Sequence, residues 1–126
     1  MLEKSYYSAI TKYYERTATC SIAWEAKFTR TERIAFSSLA AHQEANLLKA
    51  EQVFGHKLPD SGIGQKPWDG FVLYRAKAVF IAIYYSPRAT EVYEIGIRDF
   101  VNEKYTSTEK SLTKERAHSL GTRLLL

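Results

Sequence analysis

The succession of periodic segments predicts a mixed α/β domain built around a small sheet. Three observations carry this. Leu2, Tyr6, Ala9 or Ile10, Tyr13 and Tyr14 recur at three- and four-residue spacing, the period of a helix. The run 78–85 is continuously apolar, as a strand buried on both faces requires. Gly55 and Gly121 each follow a segment of helical character, where helices commonly close. The predicted order is α-β-α-β-β-β-α-α, and 126 residues suit one domain with one core.

Each element has a local reason. Residues 2–16 form the first helix by the periodicity above. Residues 17–28 are rich in Thr, Ile and Trp and read as a strand. A polar connection, 29–36, carries Arg30, Glu32 and Arg33. Ser37 or Ser38 can cap a helix that runs to about Phe54, with Leu39, Gln43, Leu47, Ala50 and Phe54 as its apolar stripe. The stretch 55–70 is rich in glycine and proline and is long for a compact domain, which is typical of functional loops. Residues 71–74 and 78–85 are expected to pair as a hairpin turning at 75–77, and Ser86-Pro87 breaks the second run. Residues 91–97 form a further strand and 99–104 a short helix. Thr106 with Glu109 fits a capping box that opens a last polar helix ending at Gly121. Leu124, Leu125 and Leu126 make an apolar tail.

Composition narrows the function classes. No apolar stretch reaches transmembrane length, and the first residues lack the apolar core of a signal peptide, so a cytoplasmic protein without a membrane partner is expected. The single cysteine, Cys20, excludes an internal disulfide. A net charge of +4 suits a polyanionic partner but does not demand one.

The chemistry concentrates at Glu25-Ala26-Lys27, at the end of the first strand. Strand side chains alternate, so Glu25 and Lys27 share a face and Ala26 takes the other. A carboxylate is a hard oxygen ligand for Mg²⁺, and an ammonium beside it can orient water and offset phosphate charge. Gln43, on the apolar stripe of the next helix, needs a hydrogen-bond partner if buried, and can be an active-site orienter or a satisfied core amide. His42 beside it reads equally as a half-exposed helix residue. Asp69, before a predicted strand, can supply a second metal ligand, although Pro-x-Asp-Gly is also good turn chemistry. Arg30, Arg33, Lys57 and Lys66 can contact phosphates or stand as solvated surface charges.

Taken together, Trp24-Glu-Ala-Lys-Phe-Thr-Arg-Thr31, Phe36-Ser-Ser-Leu39, His42-Gln43 and Lys66-Pro-Trp-Asp69 resemble the PD-(D/E)xK nuclease superfamily. The nearest branch is the RecU-type Holliday-junction resolvases and their phage relatives. The resemblance covers about residues 16–100. It implies a restriction-endonuclease-like fold and a Mg²⁺- or Mn²⁺-dependent endonuclease acting on DNA, branched DNA included. A homodimer is implied too, and a phage or viral origin is compatible with the match. In the implied site Glu25 and Asp69 hold the metal, Lys27 positions the attacking hydroxide and Gln43 orients its surroundings. Arg30, Arg33, His42, Lys57 and Lys66 are the implied DNA contacts.

One departure stands out. The superfamily's motif aspartate precedes E-x-K, yet residues 1–24 contain no aspartate. The segment opening at Asp69 looks like that aspartate-bearing hairpin moved to a later place in the chain. Asp60 and Glu15 are rivals for the role, and Glu3 or Glu15 can match a helical glutamate that some members use. A catalytically inactive nucleic-acid-binding domain of the same fold is the alternative reading. A structural or regulatory protein carrying chance motifs is a third.

Overall fold

The computed structural model describes residues 2–52, 54–58, 70–74 and 76–126. Among the described residues the helices are α1 (Leu2–Thr17), α2 (Ala41–Ala50), α3 (Ile97–Thr106) and α4 (Lys114–Leu120). The strands are β1 (Ser21–Thr29), β2 (Arg33–Ala35), β3 (Phe54–Leu58), β4 (Gly70–Tyr74), β5 (Ala76–Tyr84), β6 (Glu91–Gly96), β7 (Ser111–Thr113) and β8 (Thr122–Arg123). A short 3-10 turn, Phe36–Ser38, precedes α2.

The central sheet is small and mixed, in the order β1-β5-β6-β8. β1 runs parallel to β5, with Glu25 opposite Phe80 and Lys27 opposite Ala82. β6 and β8 are antiparallel to their neighbours. β5 is the core strand: from Ala78 to Tyr84 every residue is buried, which explains its unbroken apolar run.

Helices cover both faces of this sheet. On one face α1 packs Ile10 and Tyr14 against Ala26, Val79, Ile81, Ile83 and Val92. On the other, Leu39 and Leu47 meet Ala78, Phe80 and Ala82, while α3 and α4 contribute Phe100 and Ala117. Phe100 stacks on Phe80 at 4.2 Å and meets Phe36 edge-on at 5.7 Å. Ion pairs Lys104–Glu44 (3.0 Å) and Arg98–Glu51 (2.8 Å) fasten α3 to α2 and its C-terminal cap.

The structure corrects several expectations. Residues 71–74 do not form a hairpin with 78–85; β4 pairs antiparallel with β3, from Phe54–Tyr74 to Leu58–Gly70. A single residue separates β4 from β5, too few for a hairpin turn, and both edges of β5 are taken by β1 and β6. The second helix stops at Ala50 because Phe54 already belongs to β3, so the connection expected over 55–70 narrows to 59–69. Ser37 and Ser38 lie in the 3-10 turn, and α2 starts after Ala40, which has no capping side chain. Helix α1 continues through Thr17, which delays β1 to Ser21.

Thr106 does not open the last helix. Its hydroxyl donates to the Asn102 carbonyl within α3. Thr113 opens α4 instead, accepting the Arg116 N–H at 3.1 Å. The pairing of β2 with β7 was not expected, because strands of three residues carry no readable period. The apolar tail docks at Leu124, whose N–H donates to the Val92 carbonyl at 2.8 Å, while Leu125 and Leu126 stay exposed.

Candidate active site

β1 carries the site, and its burial pattern shows how. Ala26 is buried toward α1, with Ile22, Trp24 and Phe28 packed partly on the same side. Ala23 packs on the opposite side, against the cluster that α2 covers. Alternation therefore puts Glu25 and Lys27 on the α2 side, level with Phe80 and Ala82. Their charged ends meet: the Lys27 ammonium lies 3.5 Å from a Glu25 carboxylate oxygen, with the side chains 22% and 31% exposed. The pair sits at the border of the core, reachable from solvent but backed by apolar packing. Among the described residues β1 is an edge strand, which leaves one flank of this acid–ammonium pair open.

α2, which bears His42 and Gln43 in its first turn, packs across β1 and β5. Gln43 is half-buried, and its amide oxygen accepts the Ala40 N–H at 3.1 Å. That bond satisfies an otherwise orphan donor at the helix start. The amide nitrogen is then the group with which Gln43 can act on its surroundings. His42 is exposed in the first turn of α2.

The basic candidates divide. Arg33 is exposed and paired with Glu109 at 3.5 Å. Arg30 is exposed, with its guanidinium carbon 6.0 Å from the Phe28 ring centre and 5.8 Å from that of Tyr85. Lys57 lies in β3. Lys66, Asp60 and Asp69 fall outside the described residues, as does the connection 59–69; Asp69 immediately precedes β4. Glu15 is exposed on α1.

A metal needs more than Glu25. Among the described residues no group of three or more His, Cys, Asp or Glu is placed to hold an ion. Glu25 offers a hard cation one oxygen donor; of the acids expected beside it, Asp69 and Asp60 lie outside the described residues and Glu15 is exposed on α1. Lys27 fits the same chemistry as the positive group beside a phosphate.

Sequence reasoning missed the aromatic partners of Arg30. Phe28 and Tyr85 lie 5.6 Å apart, ring centre to ring centre, because the parallel register brings the ends of β1 and β5 together. Nothing local in the chain signals that meeting. A second polar cluster lies toward α4, where the Glu91 carboxylate accepts from the Tyr93 hydroxyl and pairs with Lys114 at 2.9 Å. The hydrogen bond from Tyr93, then that from Lys114, holds Glu91 below the usual carboxylate range. Burial, followed by the Glu91 hydrogen bond, pushes the Tyr93 phenol up to about 12.

No family model, curated protein or solved structure matches the chain. Among the described residues, no helix is long and apolar enough to cross a membrane.

Proposed function

We propose that the chain is a small metal-dependent DNA endonuclease of the restriction-endonuclease-like fold, selective for branched DNA in the manner of Holliday-junction resolvases. The observation that carries this is the Glu25–Lys27 pair, converging on the face of β1 that lies on the α2 side of the sheet. The order of an acid–ammonium strand, a helix and a parallel core strand agrees with the resemblance to the PD-(D/E)xK superfamily. The resemblance implies an aspartate-bearing hairpin of 71–74 with 78–85, but β4 pairs with β3 in a separate two-stranded sheet, and Asp69 lies outside the described residues.

In this reading Glu25 and Asp69 hold Mg²⁺ or Mn²⁺. The bound cation would act as a Lewis acid that lowers the pKa of water and shields phosphate charge. Lys27 does two things. Its ammonium hydrogen-bonds and orients the attacking oxygen, and it offsets charge that builds on the phosphate oxygens. Glu25 holds that ammonium in place through the 3.5 Å contact. Gln43 supplies an amide donor that keeps the pair and its solvent ordered. Arg30, Arg33, His42, Lys57 and Lys66 bind the phosphate backbone and position the strand. Two coordinated cuts at a junction need two such sites, which a homodimer supplies.

The test is a cleavage panel on four-way junction, flap and linear duplex DNA, with Mg²⁺ and with EDTA. Metal-dependent cutting, fastest on a branched substrate, is expected. Binding without cutting on every substrate would favour the inactive DNA-binding domain instead. Neither binding nor cutting would end the nucleic-acid reading.

A further inference from the structure

We infer that Arg30, mounted on the rings of Phe28 and Tyr85, takes an unstacked nucleobase of a DNA strand. The inference rests on the DNA reading above, but not on catalysis. β1 and β5 are parallel, so their carboxyl ends emerge together, tied by the Tyr85 N–H to the Thr29 carbonyl at 2.9 Å. Ligands of open α/β sheets gather at such ends. Phe28 and Tyr85 stand 5.6 Å apart with their planes 34° from each other, and the Arg30 guanidinium lies over both.

Arg30 differs from its neighbours in what it leaves free. Arg33, Arg98, Arg116 and Arg123 each face a carboxylate: Glu109, Glu51, Glu103 and Glu91. Among the described residues Arg30 forms no ion pair and its partners are two rings; Arg16 likewise lies over a ring, that of Tyr13, at 5.8 Å. The Arg30 ring contacts, at 5.8 and 6.0 Å, do not use its N–H donors. Its outer face and its edge therefore stay available to a planar group that also accepts hydrogen bonds. A cleft of about 270 Å³ opens beside it, lined by Thr31, Tyr85, Ser86 and Lys114 among others, with the Glu32 carboxylate also on its wall.

Those features select a base over a bare phosphate. A phosphate needs only charge, and a flexible surface arginine supplies that. A guanidinium backed by aromatic rings offers a flat, oriented stacking surface, the device by which proteins hold splayed-out bases. In an intact duplex each base face is covered by its neighbours, so the platform favours strands with unpaired bases. Arg30 lies three residues beyond Lys27, roughly 10 Å along an extended chain. Phe28 packs on the α1 side of β1 and the Glu25–Lys27 pair stands on the α2 side, so the base would lie around the sheet edge from that pair.

The test uses the full chain in EDTA, so that no cleavage enters. A single-stranded oligonucleotide carrying 2-aminopurine is titrated, and a duplex of equal length serves as comparison. Arg30→Lys keeps the charge and loses the plane. It should weaken single-strand binding about tenfold, as Arg30→Ala should too, and abolish the stacking change in 2-aminopurine fluorescence. Duplex affinity of Arg30→Lys should fall less than its single-strand affinity, because lysine keeps the charge and loses only the plane. Tyr85→Leu, checked for folding by its thermal melt, should follow Arg30→Lys. Wild-type single-strand affinity in Arg30→Lys would overturn the inference and leave Arg30 a phosphate contact. A wild-type protein that binds no single strand would overturn it as well. Stacking without metal-dependent cleavage would keep this inference and remove the nuclease. Cleavage with an indifferent Arg30→Lys would do the reverse.

Discussion

Glu25→Gln separates a catalytic role for this carboxylate from a structural one. The substitution keeps the side chain's shape and removes its charge. The stability effect follows from the geometry. A contact of 3.5 Å between groups 22% and 31% exposed is screened by solvent on its open flank. Coulomb's law gives about 1 kcal/mol for such a separation in water. Measured pairs of this kind are worth ~0–1 kcal/mol after side-chain ordering is deducted. For a domain of this size the melting temperature should fall by no more than about 5 °C. The catalytic effect is of another order. Removing one charge-stabilising group from an active site costs roughly 10²–10³ in rate. DNA binding in EDTA should hold or tighten slightly, since a negative charge near phosphates is gone. The assay is single-turnover cleavage at saturating enzyme and Mg²⁺, alongside a thermal melt. Cleavage within about threefold of wild type would refute the ligand assignment, because a transition-state interaction cannot be lost so cheaply. A fall in melting temperature beyond about 10 °C would instead make Glu25 a structural residue.

Asp69→Asn should abolish cleavage under saturating Mg²⁺ while Asp60→Asn leaves it intact; the opposite result moves the second ligand to Asp60. Phe100→Ala removes a fully buried ring that bridges Phe80 and Phe36, and should cost ~3–5 kcal/mol in urea denaturation. A loss under about 1 kcal/mol would mean that this core repacks freely. Glu91, held low first by Tyr93 and then by Lys114, should give a pH-dependent signature. Its folded pKa lies below its unfolded one, so its contribution is full above the ordinary glutamate pKa of about 4.3 and disappears as pH falls through the folded value. Urea melts from neutral to acid pH should therefore converge for wild type and Glu91→Gln at the acid end, and a gap that stays constant would contradict the pairing.

Some of this protein was legible in its sequence because the information is local. The spacing of Tyr6, Ile10 and Tyr14 implied the first helix, and Ile10 and Tyr14 are the residues α1 buries. The apolar run of β5 implied a strand covered on both faces, and every residue from Ala78 to Tyr84 is buried. Alternation alone placed Glu25 and Lys27 on one face, because a period of two depends on nothing beyond the strand itself. What failed was pairing. β4 was joined to β5 because they are adjacent in the chain, yet its partner is β3, on the far side of a long connection. Thr106 and Thr113 look alike as caps, and packing of the preceding strand β7 against β2 decides between them.

By itself, then, the sequence located α1, β1, β5 and β6 and showed which of their side chains share a face, since those follow from backbone geometry over a few residues. The short strands β2, β3, β7 and β8 went unread. Only the tertiary structure decided that β1 lies parallel to β5, and with that pairing came the meeting of Phe28, Tyr85 and Arg30. Registers between distant strands depend on the burial of the whole core, and no window of local sequence contains that sum.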